Sequence, residues 1–386
     1  MSLVAFLTAL SNYSVQPFLP IMADDLGTTV PVVGQAATIP LFVAAAAGLA
    51  AGPLADFIGF KPVVAGGLLL LAGSAVGVGL ATSFEVLLAA RVLAGLGAGA
   101  TTGTVFAFVG AVHGYESRQR ALSFVAAAFS VSAVVGIPLL TAIESLAGWR
   151  GALFAIAALT VLVCIGLVQY LSDPKRESSI AWPGTGTIIR AYSPLLRDAR
   201  MLAAFVGIIA VGMGTIGAVT YIGAFFVEQF GTSTGRVGLL LAAGGGAYTL
   251  GSVLGGTSFF DFRIRGMTLG LGMLSGIAIW TVFGLESGSI IAVLALVVAL
   301  CGAGILNIMF VTVLSYESRA GAATTMAMQA SVTNLGSAVG VALGGLALGL
   351  QGYPALGLLT GLAFVTAGVV TTVSLLLLTY QPRTTG

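Results

Sequence analysis

Residues 62–82 read PVVAGGLLLLAGSAVGVGLAT, a run without a single charge from Pro62 to Thr82. About 18 such residues in a row suffice for a helix to cross the hydrocarbon core of a bilayer. Working outward, similar runs occur near 3–22, 33–54, 87–110, 122–144 and 150–171, and then near 201–225, 236–258, 267–285, 289–312, 323–347 and 355–379. This pattern predicts an all-α integral membrane protein with twelve transmembrane helices. The chain begins inside an apolar segment with no basic leader region, so 3–22 is read as a first span rather than a removed signal.

Composition agrees. Of 386 residues, 58% are hydrophobic and 7% charged, against roughly 25% charged in soluble domains, which excludes a soluble globule. The 55 glycines suit helices that approach one another closely in lipid. A net charge of +2 with no dense basic patch excludes nucleic acid as a partner. Cys164 and Cys301 each sit in an apolar run, which supports neither a disulfide framework nor a metal site. No metal and no cofactor is expected, and His113 is read as a solvated residue at the end of 87–110.

Basic residues gather in the short cytoplasmic loops of such proteins. Placing both termini in the cytoplasm puts Lys61, Arg118, Arg120, Lys175, Arg176, Arg190, Arg197, Arg200, Arg263, Arg265, Arg319 and Arg383 inside, with only Arg150 and Arg236 outside and Arg91 within a span. The chain is therefore read as a multi-pass protein of the cell (inner) membrane. Its longest polar stretch carries Pro, Ser, Gly and basic residues, and divides it into a bundle over 1–172, a cytoplasmic linker over 173–199 and a second bundle over 200–386. An internal repeat supports two six-helix bundles with pseudo-two-fold symmetry. Tyr115-Glu116-Ser117-Arg118 returns as Tyr316-Glu317-Ser318-Arg319 in the equivalent loop, and Asp56-Phe57 is echoed by Asp261-Phe262. In parallel-repeat transporters the solute site lies at the midplane between the halves.

Gly52-Pro53-Leu54-Ala55-Asp56-Phe57-Ile58-Gly59-Phe60-Lys61 resembles the loop signature of the major facilitator superfamily, G-x-L-A-D-R-x-G-R-K. The resemblance implies the major facilitator fold and a gating role for this loop. In that role Gly52 allows close approach of span two to a neighbour, Asp56 sets a carboxylate at the cytoplasmic mouth, Gly59 makes the turn, and Lys61 pairs or anchors. Phe57 and Phe60 stand where the family carries Arg, so the charge network rests on Asp56 with Lys61 or with Arg118. Arg91-Val92-Leu93-Ala94-Gly95-Leu96-Gly97-Ala98-Gly99 looks like the family's fourth-helix motif. Gly136-Ile137-Pro138, followed by Gly148-Trp149-Arg150, is similar to the fifth-helix pattern of the twelve-span drug:proton antiporter and sugar-efflux branch. Gly136 and Pro138 also predict a bend that rocking halves would use.

At about 1.5 Å per residue, Asn12 lies near the midplane of span one. The spacing of Asn12, Tyr13 and Gln16 sets them on one helical face, directed to a cavity because lipid exposure is costly. Gln329 and Asn334 lie at similar depth in span eleven, while Tyr221 and Asn307 lie nearer the mouths. Arg91 is the one charge well inside a span, with Asp24, Asp25 or Glu144 as expected partners. No acid falls near a midplane, so the candidates for proton coupling are Asp25 and Glu144 at span ends, tuned by Arg91.

The resulting reading is a proton-coupled exporter of small amphipathic drugs or metabolites, sugar-like solutes included, working by alternating access as a monomer among membrane lipids. The alternative is an uptake carrier or facilitator for a small organic anion, using Arg91. An enzyme would need a clustered nucleophile, base or metal set that these residues do not offer.

Overall fold

The structure, a computed structural model, describes residues 1–112, 121, 124–125, 127–171, 192–256, 265–285, 288–317 and 322–379. Among the described residues all regular structure is helical. Lipid offers the backbone no hydrogen bonds, so a spanning segment satisfies its own N–H and C=O groups by coiling into a helix. In chain order the elements are α1 (Ser2–Tyr13), a 3-10 turn (Gln16–Phe18), α2 (Leu19–Asp25), α3 (Val30–Ile58), α4 (Phe60–Gly79), α5 (Phe84–Val112), a π-helical turn (Ser132–Gly136), α6 (Ile137–Tyr170), α7 (Ala199–Phe230), α8 (Thr234–Gly255), α9 (Arg265–Gly284), α10 (Ser289–Glu317), α11 (Ala322–Gln351) and α12 (Tyr353–Thr379).

Ten helices among the described residues are long and apolar enough to cross a membrane. Two departures from the expected spans have local causes. The first span is interrupted between Tyr13 and Leu19, because Pro17 and Pro20 lack the N–H groups that would bond the carbonyls of Tyr13 and Gln16. Spans 122–144 and 150–171 are not separated by a loop. They run together around α6, where Gly148 alone leaves helical geometry at φ 70° and ψ 171°. Only glycine adopts that conformation without strain, so a single residue redirects the chain.

By its internal contacts the chain forms two compact units. The first comprises Met1–Ile189 and Val219–Ala243, so the second part of α7 and the first part of α8 cluster with the earlier helices. Its core joins Val4 and Ala5 of α1, Val64, Leu68 and Leu71 of α4, and Ala98, Val105 and Phe108 of α5. Thr8 and Thr101 share a hydrogen bond of 2.8 Å between α1 and α5. The second unit comprises Arg190–Ala218 and Gly244–Gly386. Phe205, Ile208 and Val211 of α7 pack there with Leu306 and Phe310 of α10. α9 and α12 meet at glycine: a Cβ on Gly272 would lie 2.7 Å from Gly368 Cα, and Thr268 bonds Thr372 at 2.8 Å a turn away.

Candidate functional site

The interruption of the first span is where polar chemistry concentrates. α1 ends at Tyr13 and leaves its last carbonyls without partners inside the helix. In α3, Pro40 likewise deprives the Ala36 carbonyl of its N–H. Arg91 of α5, 1% exposed, answers both defects. Its Nε donates to Ala36 O at 3.0 Å, one terminal nitrogen to Ser11 O at 3.1 Å and the other to Asn12 O at 3.3 Å. The expected pairing of Arg91 with Asp24, Asp25 or Glu144 is therefore corrected. A planar fork of donors can bridge several fixed carbonyls at once, and three freed carbonyls offer a buried guanidinium its compensation without an acid.

Asn12 and Tyr13 close α1, and Gln16 lies inside the interruption as the first residue of the 3-10 turn. Asn12 and Tyr13 are half-buried and Gln16 is 2% exposed. Gln16 Nε2 donates to Thr220 Oγ1 at 3.5 Å, whereas Gln16 Oε1 and Asn12 Oδ1 are buried with no hydrogen-bond partner. Thr220 and Tyr221 belong to the part of α7 that joins this unit, and both are fully buried. The Tyr221 ring fills the space a side chain at Gly34 would occupy, since a Cβ there would lie 2.7 Å from its Cζ. Only glycine lets α3 come so close. Thr141 of α6 and Gly238 of α8 meet in the same way.

A second polar cluster lies at the end of α2. Asp25 accepts from Trp149 Nε1 at 2.8 Å and from Arg150 at 2.6 Å, and the Arg150 guanidinium stacks 4.2 Å from the Trp149 ring centroid. Arg150 also reaches Ala81 O at 3.5 Å. The Gly148 turn brings Trp149 and Arg150 to this corner. The Trp149 hydrogen bond and the Arg150 charge hold the Asp25 carboxyl below the usual carboxylate range. Glu144, half-buried in α6, is not part of the cluster as described.

The other expected site residues are dispersed. Asn307 of α10, and Gln329 and Asn334 of α11, are half-buried in the second unit, where Gln329 donates to Thr333 at 3.2 Å. Gly136 closes the π-helical turn just before Pro138 and packs on α1, where a Cβ would lie 2.7 Å from Leu10. A widened turn thus stands where the bend was predicted, an adjustment by which a membrane helix re-satisfies backbone groups that a proline frees. Gly59 makes its turn at φ 104° and ψ 157°. Gly52, however, is not a close-approach glycine: a Cβ there would meet nothing within 4 Å among the described residues. α3 and α5 approach closely further along, where a Cβ on Gly95 would be 2.7 Å from Pro40 O. Lys61 opens α4 and is half-buried. The Asp56 side chain, Arg118, His113 and most of the paired Tyr-Glu-Ser-Arg copies lie outside the described residues.

The reading of spans missed Thr220 and the Ala36 carbonyl. A proline at depth in 33–54 was the available signal for the second, since every such proline frees one carbonyl. Among the described residues no three His, Cys, Asp or Glu side chains gather as metal ligands. Both cysteines are free thiols, Cys164 buried and Cys301 partly so. The arrangement places neutral hydrogen-bonding groups at a helix break.

Residues 1–329 match the model of the Major Facilitator Superfamily. The chain is 26% identical to an uncharacterised MFS-type transporter, YtbD of Bacillus subtilis, over 65% of its length and 62% of the relative's; this match takes in less than two thirds of that relative. It is 27% identical to the purine ribonucleoside efflux pump NepI of Salmonella paratyphi B, over 92% of its length and 88% of the pump's. In fold it is similar to a bacterial homolog of the human lysosomal transporter Spinster, solved in an inward-facing and unoccupied conformation. The TM-score is 0.73 at 17% identity, covering 97% of this chain and 93% of that one.

Proposed function

We propose that this chain, which belongs to the Major Facilitator Superfamily, is a secondary active exporter of small neutral or amphipathic drugs or metabolites, working by alternating access in exchange for protons. It is a transport protein and not an enzyme. The observation that carries the solute site is the interrupted first span, with Asn12 just before the break, Gln16 within it and Arg91 donating to the Ser11 and Asn12 carbonyls. Broken helices at membrane depth are where transporters of other folds bind their cargo. Similarity to an efflux pump along 92% of the chain supports the outward direction.

Counting the interrupted segment as one span and 127–170 as two around Gly148 supports a reading of twelve spans, which the internal repeat would arrange as two six-helix bundles. The basic loops favour cytoplasmic termini in the inner membrane, and a monomer suffices for transport. Asn307, Gln329 and Asn334 would line the half of the site supplied by the second bundle, while Gly136 and Pro138 supply the bend. We assign the motif of Gly52, Asp56, Gly59 and Lys61, with Arg118, to the cytoplasmic gate. Asp25 is the carboxylate assigned to proton exchange: Trp149 and Arg150 hold it ionised here, and parting from them would raise its proton affinity. Uptake of an organic anion on Arg91 ranks second, because all three of that residue's nitrogens already donate to carbonyls.

The test is efflux of radiolabelled inosine and of neutral and cationic dyes from efflux-deficient cells, with and without a protonophore. Efflux that collapses with the protonophore and is lost in a well-expressed Asp25→Asn variant is the expected result. Accumulation instead of efflux, or efflux indifferent to both perturbations, overturns proton-driven export.

A further inference from the structure

We infer that Val219–Ala243 is a hairpin that swings as one body on two hinges, one at Gly217 in α7 and one at Gly244–Gly246 in α8. The inference rests on the reading of the chain as an alternating-access carrier, and it names the part that moves. With the termini read as cytoplasmic, the turn of this hairpin lies on the outer side, so its swing opens and closes the outward path.

α7 and α8 are each a single helix, yet each changes companions partway along. Up to Ala218, α7 packs in the second unit: a Cβ on Gly212 would lie 2.9 Å from Thr333 O, and one on Gly217 would lie 2.9 Å from Gly340 O. From Val219 onward α7 belongs to the first unit, where Tyr221 fills the space beside Gly34. α8 reverses the order. Gly238 packs on Thr141 of α6, whereas a Cβ on Gly244 would lie 2.7 Å from Leu300 Cδ1, and Gly251 packs on Cys301 of α10. Between the two crossings the hairpin holds itself together. A Cβ on Gly223 of α7 would lie 2.8 Å from Val237 of α8, and the Phe225, Phe226 and Phe230 rings meet with centroids 5.2 to 5.8 Å apart.

The crossing in α8 carries residues that disfavour a helix. Gly244, Gly245 and Gly246 stand in the middle of its 22 residues, and glycine is the poorest helix former after proline. Packing accounts for Gly244 but not for Gly246. A Cβ there would meet nothing within 4 Å among the described residues, and no positive φ calls for glycine. What Gly246 changes is the backbone, which bends more readily without a side chain. Thr249 adds to this by donating to Gly245 O at 2.8 Å, a bond that competes with the helix ladder and favours bending. Gly217 marks the matching point of α7, just before the crossing at Ala218 and Val219. One flexible point in each arm lets a hairpin swing while its helices keep their own hydrogen bonds in lipid.

Distances between nitroxide labels on the purified full-length protein test this with no solute or proton gradient. One label enters by Gln229→Cys, at the exposed end of α7, and the other by Ser289→Cys at the start of α10 or by Ser145→Cys in α6, in a background lacking Cys164 and Cys301. Gly34→Ala and, separately, Gly238→Ala crowd the seat of the hairpin in the first unit. Each is expected to populate a second distance both from Gln229 to Ser145 and from Gln229 to Ser289. Gly246→Ala should then reduce the displaced population by about fivefold, the preference of a helix for alanine over glycine. Gly270→Ala, the same change at an open position of α9, should leave it unaltered. Rocking of rigid bundles carries Gln229 and Ser289 together, so a fixed distance between those two overturns the inference. So do distances that neither crowding variant changes, or a displaced population that Gly246→Ala leaves intact or Gly270→Ala alters as strongly. Export can fail in cells while these distances shift, and they can stay fixed in a working exporter, so the two readings fall separately.

Discussion

At the scale of single residues, Arg91 shows how a charge is carried inside a membrane without an acid beside it. Pro40 removes the N–H that would bond Ala36 O, and Arg91 supplies another at 3.0 Å. Restoring the N–H should therefore make the arginine less necessary. In a double-mutant cycle, Pro40→Ala is expected to reduce the cost of Arg91→Ala by about 1 kcal/mol, read from thermal unfolding in detergent. Arg91→Lys should cost nearly as much as Arg91→Ala, because one ammonium cannot reach carbonyls from two helices in the geometry of a fork. Asp25 gives a pH dependence whose sign follows from its lowered carboxyl. Its contact with Trp149 and Arg150 contributes stability above the usual carboxylate range, and that contribution is lost as pH falls through the lowered value. The stability difference between the unaltered protein and Asp25→Asn should accordingly be constant from neutral to mildly acidic pH and close only in strong acid.

Among the elements, two glycines with open space around them separate backbone from packing. A Cβ at Gly148 or at Gly52 meets nothing within 4 Å among the described residues. Gly148 has φ 70° and ψ 171°, a region closed to other residues, whereas Gly52 sits in helical α3. Gly148→Ala should cost about 1–3 kcal/mol through strain alone and pull Trp149 and Arg150 away from Asp25. Gly52→Ala should be neutral or stabilising by up to about 1 kcal/mol. Parallel melting curves of the two variants check both statements. The helices themselves were legible from uncharged runs, and the breaks were legible in part, since Pro17, Pro20 and Gly148 all stand in the sequence. Which carbonyls the breaks release, and what answers them, was not. Arg91 lies far along the chain from Ser11 and Ala36, and an apolar run carries no sign of its neighbour.

For the whole molecule, the consequential feature is that Val219–Ala243 is part of the first unit. Gly34 admits the Tyr221 ring, and Thr220 lies fully buried beside Gln16. Gly34→Ala should disfavour this packing by about 1–3 kcal/mol, the cost of overfilling a tight site, and so shift the population by about 5- to 150-fold. The readout is the rate at which a cysteine in place of Thr220, in a background lacking Cys164 and Cys301, is labelled by a membrane-impermeant maleimide added outside cells. Faster labelling in the Gly34→Ala background is the expected result, and Tyr221→Leu should reverse it by returning the space.

The sequence alone determined that the chain lies in a membrane, that it is helical, and that it resembles the major facilitator superfamily. Those properties follow from the cost of placing charge and unpaired backbone in lipid, a cost written locally in each run of residues. It also marked Asn12, Gln16, Arg91, Asp25 and Tyr221 as polar groups that needed an explanation. Their partners were decided only by tertiary structure. Hydrogen bonds to backbone carbonyls depend on where helices cross, and every residue type carries the same carbonyl, so no side-chain pattern could have shown that Arg91 would bond Ala36, Ser11 and Asn12 while Asp25 turned to Trp149 and Arg150.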